Sequence, residues 1–344
     1  MLKLKDIAER TNVSVSTVSR ILSNKGNFSE ETKQKVLEVA KEYLYTPGIT
    51  LQKINEMSYT VGIFVTNSND FLDDDPSSSI ELNNLKDELE AMGHKIILTT
   101  NTGKLDKNST CYKLLQERAI DGAVVFDPFV SDEIMDELNR LDIPYIVTNG
   151  RDYNKPWNYI DYDNYGGTYK VIEYLYELGH RDIAILAGPS DHWVNQNRME
   201  GCRAAIRDFG LSIDENHVIF GSFSMAHGHQ AVEQLISYGT KFTAICALAD
   251  TIALGANKAL RSKGLRVPED VSIVGFDDWK VSEYMSPPLT SVRRFKYDIN
   301  QLIASMMSQI ISNKYISQFN ITLKTELIIR ESCKNINEGS MRRG

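Results

Sequence analysis

Two periodicities divide this chain of 344 residues. Over the first 46 residues apolar side chains recur at helical spacing. Leu4, Ile7 and Ala8 form one stripe, Val18, Ile21 and Leu22 a second, and Val36, Leu37, Ala40, Tyr43 and Leu44 a third. From Thr60 onward short β-branched runs alternate with amphipathic stretches. The runs 61–65, 95–98, 122–126, 144–147, 183–186, 218–220, 244–248 and 271–276 read as strands. Helices are predicted near 79–93, 108–118, 131–141, 165–178, 195–209, 226–238, 251–263 and 296–313. Such alternation predicts parallel sheets covered on both faces, and eight units exceed one ordinary sheet. The expected fold is therefore an N-terminal all-α head followed by an α/β core of two doubly wound parallel-sheet lobes, with a ligand at the strand carboxyl ends between them.

Capping residues set the helices of the head. Ser14 is an N-cap for the run from Val15 to Leu22, and Ser29 one for a third helix carrying Glu30 and Glu31 in its positive first turn. Asn12 sits in the turn between the first two helices, where positive φ is often required and asparagine tolerates it. Two helices across a tight turn with a supporting third is the helix-turn-helix plan, whose second helix enters the major groove. The second helix suits that task. Ser14, Ser16, Thr17 and Ser19 carry small hydroxyls for phosphates or base edges, and Arg20 can pair with guanine. A three-helix bundle that binds protein, with serines serving only as caps, stays open on pattern alone.

Charge sharpens this picture. The net charge of −8 argues against nucleic acid, but residues 1–58 hold nine Lys and Arg against seven acids. That makes a head of +2 on a body of −10, and such asymmetry points to an anionic partner for the head. Cys111, Cys202, Cys246 and Cys333 lack metal or redox spacing and read as free thiols. No stretch approaches the roughly 18 apolar residues of a membrane span, and no basic and apolar leader follows Met1. A cytoplasmic protein is expected. No phosphate loop, dinucleotide fingerprint, His-Glu-x-x-His or Gly-x-Ser-x-Gly motif occurs, so neither cofactor nor catalytic residue is expected. An enzymatic cleft stays open on architecture, since fold does not fix function. His227-Gly228-His229 resembles a metal pair but has no third ligand nearby in sequence.

Leu4-Lys5-Asp6-Ile7-Ala8 and Val13-Ser14-Val15-Ser16-Thr17-Val18-Ser19-Arg20-Ile21-Leu22 resemble the LacI/GalR family of bacterial repressors. So do Glu177-Leu178-Gly179-His180-Arg181-Asp182, Leu186-Ala187-Gly188-Pro189, Val271 to Asp278 and Pro287-Pro288-Leu289-Thr290-Ser291-Val292. The resemblance implies a DNA-binding repressor with a core similar to periplasmic sugar-binding proteins. Its expected organisation is a head at 1–46, a hinge at 47–59, and a core at 60–333. Within the core an N-lobe takes 60–161 and 292–322, a C-lobe takes 162–291 and 323–333, and 334–344 is a disordered tail. The core would be crossed three times by the chain.

The same resemblance implies roles for single residues. Val15 and Ser16 would set operator specificity, Arg20 would read bases, and Ile54 would be the hinge's minor-groove wedge. Arg198 and Asp277 would bond sugar hydroxyls, Phe223 would stack on the sugar's apolar face, and Asn149 would contribute from the end of a lobe strand. Asp250 is either ligand or N-cap, and His192 and Arg294 are rim candidates. Three departures stand out: Lys3 stands where the family caps the first helix with threonine, the hinge carries Gly48, Leu51 and Ile54 where the family has asparagine, alanine and leucine, and Ala249 replaces an asparagine. The acidic stretch from Asn67 to Ser79 is similar to the galactose and β-galactoside regulators of Gram-positive bacteria, or is a solvated loop. The partners expected are a pseudo-palindromic DNA operator, a sugar effector and a second copy of the chain. The alternatives are a catabolite regulator with a phosphoprotein co-repressor, a sugar-binding protein and an enzyme without DNA function.

Overall fold

The computed structural model describes residues 4–22, 28–42, 58–66, 76–101, 103–130, 132–213, 215–294, 299–312 and 318–337. Ile54, the hinge up to Met57 and the stretch 67–75 lie outside them. The chain divides into two compact units, Met1–Met57 and Ser58–Gly344.

The first unit holds α1 (Leu4–Thr11), α2 (Val15–Leu22) and α3 (Glu30–Glu42). Ala8, Val18, Ile21 and Val36 form its buried centre, with Val13, Phe28 and Val39 packed against them. The α1–α2 turn depends on Asn12, whose φ of 56° ends α1 and redirects the chain. The Ser14 hydroxyl then accepts from Thr17 N at 3.0 Å, capping α2, and Ser29 accepts from Thr32 N at 3.2 Å, capping α3.

The second unit contains two six-stranded sheets. The first uses β1 (Thr60–Thr66), β2 (Lys95–Asn101), β3 (Gly122–Phe126), β4 (Tyr145–Thr148), β5 (Tyr159–Tyr162) and β11 (Asn320–Leu323). Its order is β11-β5-β4-β3-β1-β2, parallel throughout. The second uses β6 (Ile183–Ala187), β7 (Val218–Phe220), β8 (Ala244–Ala247), β9 (Ser272–Asp277), β10 (Thr290–Arg293) and β12 (Glu326–Ile328), in the order β12-β10-β9-β8-β6-β7. Here β12 pairs antiparallel with β10, so this lobe is parallel except for one edge strand.

Both faces of each sheet are covered, which is why the strands read as unbroken apolar runs. In β3, Val124 and Phe126 point to one core and Ala123 and Val125 to the other. The first of these cores is closed by α4 (Pro76–Ala91) and α12 (Ile299–Ser312), through Leu85, Leu89, Ile303 and Met307. The other is closed by α5 (Thr110–Gln116) and α6 (Ile134–Arg140). In the second lobe α7 (Asn164–Glu177) and α8 (Trp193–Asp208) cover one face, and α9 (Met225–Ser237) and α10 (Asp250–Ser262) the other. A short α11 (Lys280–Glu283) follows β9.

Two expectations shift. β10 keeps residues 292 and 293 in the second sheet, because Val292 and Arg293 pair with Phe276 and Asp277, so the crossing comes later than 292. The tail is tied down through residue 337. Lys334 N bonds Ser272 Oγ at 3.0 Å, Ile336 N bonds Leu178 O at 2.9 Å, and Asn337 Nδ2 bonds Glu177 O at 3.0 Å. These bonds hold a segment whose polar composition predicts disorder, and residues 338–344 lie outside the described part. All four cysteines are free thiols. Among the described residues no helix is long and apolar enough to cross a membrane.

Candidate functional site

In the first unit, burial separates the two faces of α2. Val18 and Ile21 face inward, while Val15, Ser16 and Arg20 are exposed. Thr17 is half-buried, and its hydroxyl lies 2.8 Å from Ser14 Oγ, as does that of Ser16. Ser19 lies in α2. The Arg20 guanidinium is 6.0 Å from the Phe28 ring centre. Packing of one α2 face thus leaves the other as a rigid strip of hydroxyls, a valine methyl edge and an arginine.

In the second unit, polar residues gather at the carboxyl ends of the strands, as expected of open α/β sheets. The chain takes left-handed backbone there: φ is 53° at Asp127 after β3, 57° at Asn149 after β4, and 112° at Asp277 closing β9. A φ of 112° is costly for a residue with a Cβ, and such strain concentrates at functional sites. At Asn149-Gly150 a reason is visible, since a Cβ on Gly150 would lie 2.4 Å from Val194 N.

Asp277 is the hub of a buried charged cluster. Its Oδ1 receives Arg198 Nη2 at 3.1 Å and lies 2.7 Å from Arg294 Nε. Arg198 also donates through Nε to Asn164 Oδ1 at 2.9 Å and through Nη1 to Leu248 O at 2.5 Å, and its guanidinium stacks 4.0 Å above the Phe276 ring. Arg294 reaches the first lobe, where its Nη1 bonds Asn149 Oδ1 at 3.2 Å and Glu81 Oε2 at 3.4 Å. Asn149 Nδ2 donates to the same Glu81 oxygen at 3.3 Å. A continuous polar ladder therefore runs from α8 through β9 to α4 and β4, joining both lobes. Burial pushes the Glu81 carboxyl above its ordinary value, against the pull of Arg294 and Asn149, and Asp161 and Asp277 add to the rise. Asp161 is also raised by burial, although Tyr162 N and Gly150 N bond it at 2.7 and 2.9 Å.

A second contact links the lobes at His192, which is no rim residue. Its side chain is buried, with Nδ1 3.0 Å from Asp127 Oδ2 and its ring edge-on to Phe129. Burial lowers the His192 pKa, but the charge and hydrogen bond of Asp127, helped by Asp191, more than reverse this and leave it raised. Beside it Trp193 N donates to Pro128 O at 3.2 Å, Val130 N to Asp191 O at 2.7 Å, and Arg151 and Asn197 exchange two hydrogen bonds.

The structure brings Arg198, Asp277, Asn149 and Arg294 together, Arg294 at the centre rather than the rim. Phe223 is half-buried, packs against the second lobe's core, and lies 5.8 Å from the Arg198 guanidinium. Asp250 stands apart. The N-cap of α10 is Ala249, and the Asp250 carboxylate is turned into its own lobe. There it accepts from Trp279 N at 2.8 Å, Ser282 Oγ at 2.5 Å and Ser291 Oγ at 2.6 Å, so it is a strut rather than a ligand group. Burial first, then the nearby Asp277 charge, raise its pKa to about 7. His227 is also structural: it is buried, with Nε2 3.0 Å from Ala187 O. Glu81, Asn164 and Asp161 escape sequence reasoning, because an acid within a solvated-looking helix and an asparagine after a strand carry no motif.

Comparison with known proteins agrees with both units. Residues 3–48 match the bacterial regulatory proteins of the lacI family, and residues 172–333 match the periplasmic binding protein-like domain. The chain is 30% identical over 338 residues to the probable HTH-type transcriptional repressor ExuR of Bacillus subtilis, covering 98% of this chain and 99% of that one. It is 29% identical over 334 residues to the HTH-type transcriptional regulator RegA of Clostridium saccharobutylicum, covering 96% and 98%. Among solved structures, the transcriptional regulator CelR in complex with cellobiose superimposes with a TM-score of 0.70 at 29% identity, covering 96% of this chain and 100% of that one. A capped helix-turn-helix unit and a two-lobed core with its charged residues at the strand ends occur here in one chain that aligns end to end with such regulators, and the chain belongs to the lacI family of bacterial regulatory proteins.

Proposed function

We propose that this protein is a sequence-specific transcriptional repressor that binds a pseudo-palindromic DNA operator as a homodimer, and whose operator affinity is set by a small ligand between the lobes of its core. The observation that carries this reading is the two-faced α2, with Val18 and Ile21 locked inward and Val15, Ser16 and Arg20 presented outward. Two such helices related by a two-fold axis demand two half-sites of matching symmetry.

The ligand reading is supported by the Arg198–Asp277 pair at the strand ends. A polyol hydroxyl donates and accepts together, so an arginine beside an aspartate suits a sugar. The cleft binds rather than turns over its ligand, and the protein acts in the cytoplasm, where its operator lies. Ligand binding changes the balance between open and closed lobes, and the coupling equals the difference in operator affinity between those states.

Selection of operator sequences from a random DNA pool by the full chain, at fixed salt, tests the reading. A two-fold symmetric consensus is expected, bound with an affinity that shifts when a ligand from a sugar panel is added. Enrichment of no sequence over random DNA overturns it.

A further inference from the structure

We propose that Glu81 is the specificity-determining acceptor of the cleft, taking a hydroxyl of an uncharged polyol on its Oε1 atom and turning away anionic derivatives of the same sugar. The proposal rests on the ligand reading above and names the chemistry of that site. Glu81 comes from α4 in the first lobe, with its side chain 2% exposed. Its Oε2 is held by Asn149 Nδ2 at 3.3 Å and Arg294 Nη1 at 3.4 Å. Its Oε1 is buried and has no hydrogen-bond partner among the described residues. A buried acceptor left unmade is costly, and more so on a group that carries charge. Asn149 and Arg294 fix the carboxyl plane from one side, so the second oxygen is presented with little rotational freedom.

The surrounding charges decide what supplies the missing donor. The two arginines are already engaged by protein groups: Arg198 by Asn164, Leu248 O and Asp277, and Arg294 by Asp277, Asn149 and Glu81. A ligand carboxylate or phosphate would have to displace Asp277 or Glu81 from a guanidinium while standing beside both acids and near Asp161. A ligand ammonium would face Arg198 and Arg294. Two guanidinium groups against two carboxylates are balanced in charge while Glu81 Oε1 lacks a donor, and a neutral hydroxyl supplies one without unbalancing the cluster.

The test titrates the full chain by calorimetry with matched probes, each a neutral sugar beside its uronic acid and its 6-phosphate: galactose, glucose and cellobiose lead the neutral set. The wild type is expected to bind a neutral probe at least tenfold more tightly than its anionic counterparts. In Glu81→Gln the neutral probe is expected to weaken about tenfold while the uronate does not weaken, so the ratio between them narrows. A merely structural role for Glu81 would weaken both equally and leave that ratio fixed. Anionic probes binding the wild type as tightly as neutral ones, or a Glu81→Gln ratio within twofold of wild type, overturns the proposal while the ligand reading stands. If no probe binds, neutral or anionic, both fall. The wild-type comparison needs no variant, so a Glu81→Gln protein that fails to fold does not rescue the proposal.

Discussion

Arg198 and Asp277, 79 residues apart in the chain, meet at 3.1 Å with both side chains buried, and Asp277 reaches Arg294 through the same oxygen. One carboxylate thus compensates two guanidinium groups. Asp277→Ala removes that compensation at once. The loss is expected to be about 3 kcal/mol of core stability, because two buried cations are left with fewer acceptors. Asp277→Asn keeps an oxygen in place and is expected to cost about half as much. Both variants should lose the thermal stabilisation given by a bound sugar. Urea unfolding with and without ligand checks this, and a ligand shift retained in Asp277→Ala removes that residue from the contact set.

Arg20 is exposed on α2, outside the buried centre of its unit. Arg20→Ala should therefore leave thermal unfolding unchanged while reducing discrimination between operator and random DNA by about 1–3 kcal/mol. Measured at several salt concentrations, the loss should fall on the specific complex alone. Equal weakening on both DNAs would make Arg20 a phosphate contact.

Helices α9 and α10 pack through glycine on both sides. A Cβ on Gly228 would lie 2.0 Å from Ile252 O, and one on Gly255 2.0 Å from Met225 O. Backbone cannot yield as a side-chain tip can, so each Gly→Ala change must part the helices. About 3 kcal/mol is expected for either. The double variant should cost less than the two together, since the first separation makes room for the second. Additive losses in chemical unfolding would mean that the two contacts yield independently.

Two buried groups make core stability depend on pH in the same direction. Asp250, at about 7, holds a proton in the fold that the unfolded chain has released above about 4, so its contribution falls as pH rises from 4 to 7. His192 is raised, so its pairing with Asp127 is fully present below about 6.5 and is lost as pH climbs through its folded value. These two contributions are expected to be smaller at pH 8 than at pH 5, while His94, His180 and His227, which burial holds below the usual histidine value, act in the opposite direction. Asp250→Asn should remove on the order of 2 kcal/mol of that fall. A difference between wild type and variant that does not change with pH would refute the assignment.

The strands legible in the sequence are those buried on both faces, such as Gly122–Phe126 and Ile183–Ala187, where sheet and helix coverage demand continuous apolar residues. The four missed strands, β5, β10, β11 and β12, are short. β5 and β10 also carry polar side chains, Asp161, Ser291 and Arg293, because they lead into the cleft or brace it. Function has displaced apolar residues there, and the pattern vanished with them. The head was readable because caps are local: Ser14 and Ser29 bond within three residues. Glu81 was hidden for the opposite reason. Its partners lie 68 and 213 residues away, and only the fold brings them within reach.

The chain passes between the two sheets three times, after β5, after β10 and after β11. Two of these passages are bound to each other, Asp163 N to Leu323 O at 2.8 Å and Thr325 Oγ1 to Asp163 O at 3.3 Å. Connections tied side by side resist twisting and sliding but yield to bending. Bending at these passages is therefore expected to be the core's softest motion. Molecules of quite different outline entering the cleft must be registered as values on that single dial, so ligands of this regulator should differ in how far they turn it, not in what kind of signal they send.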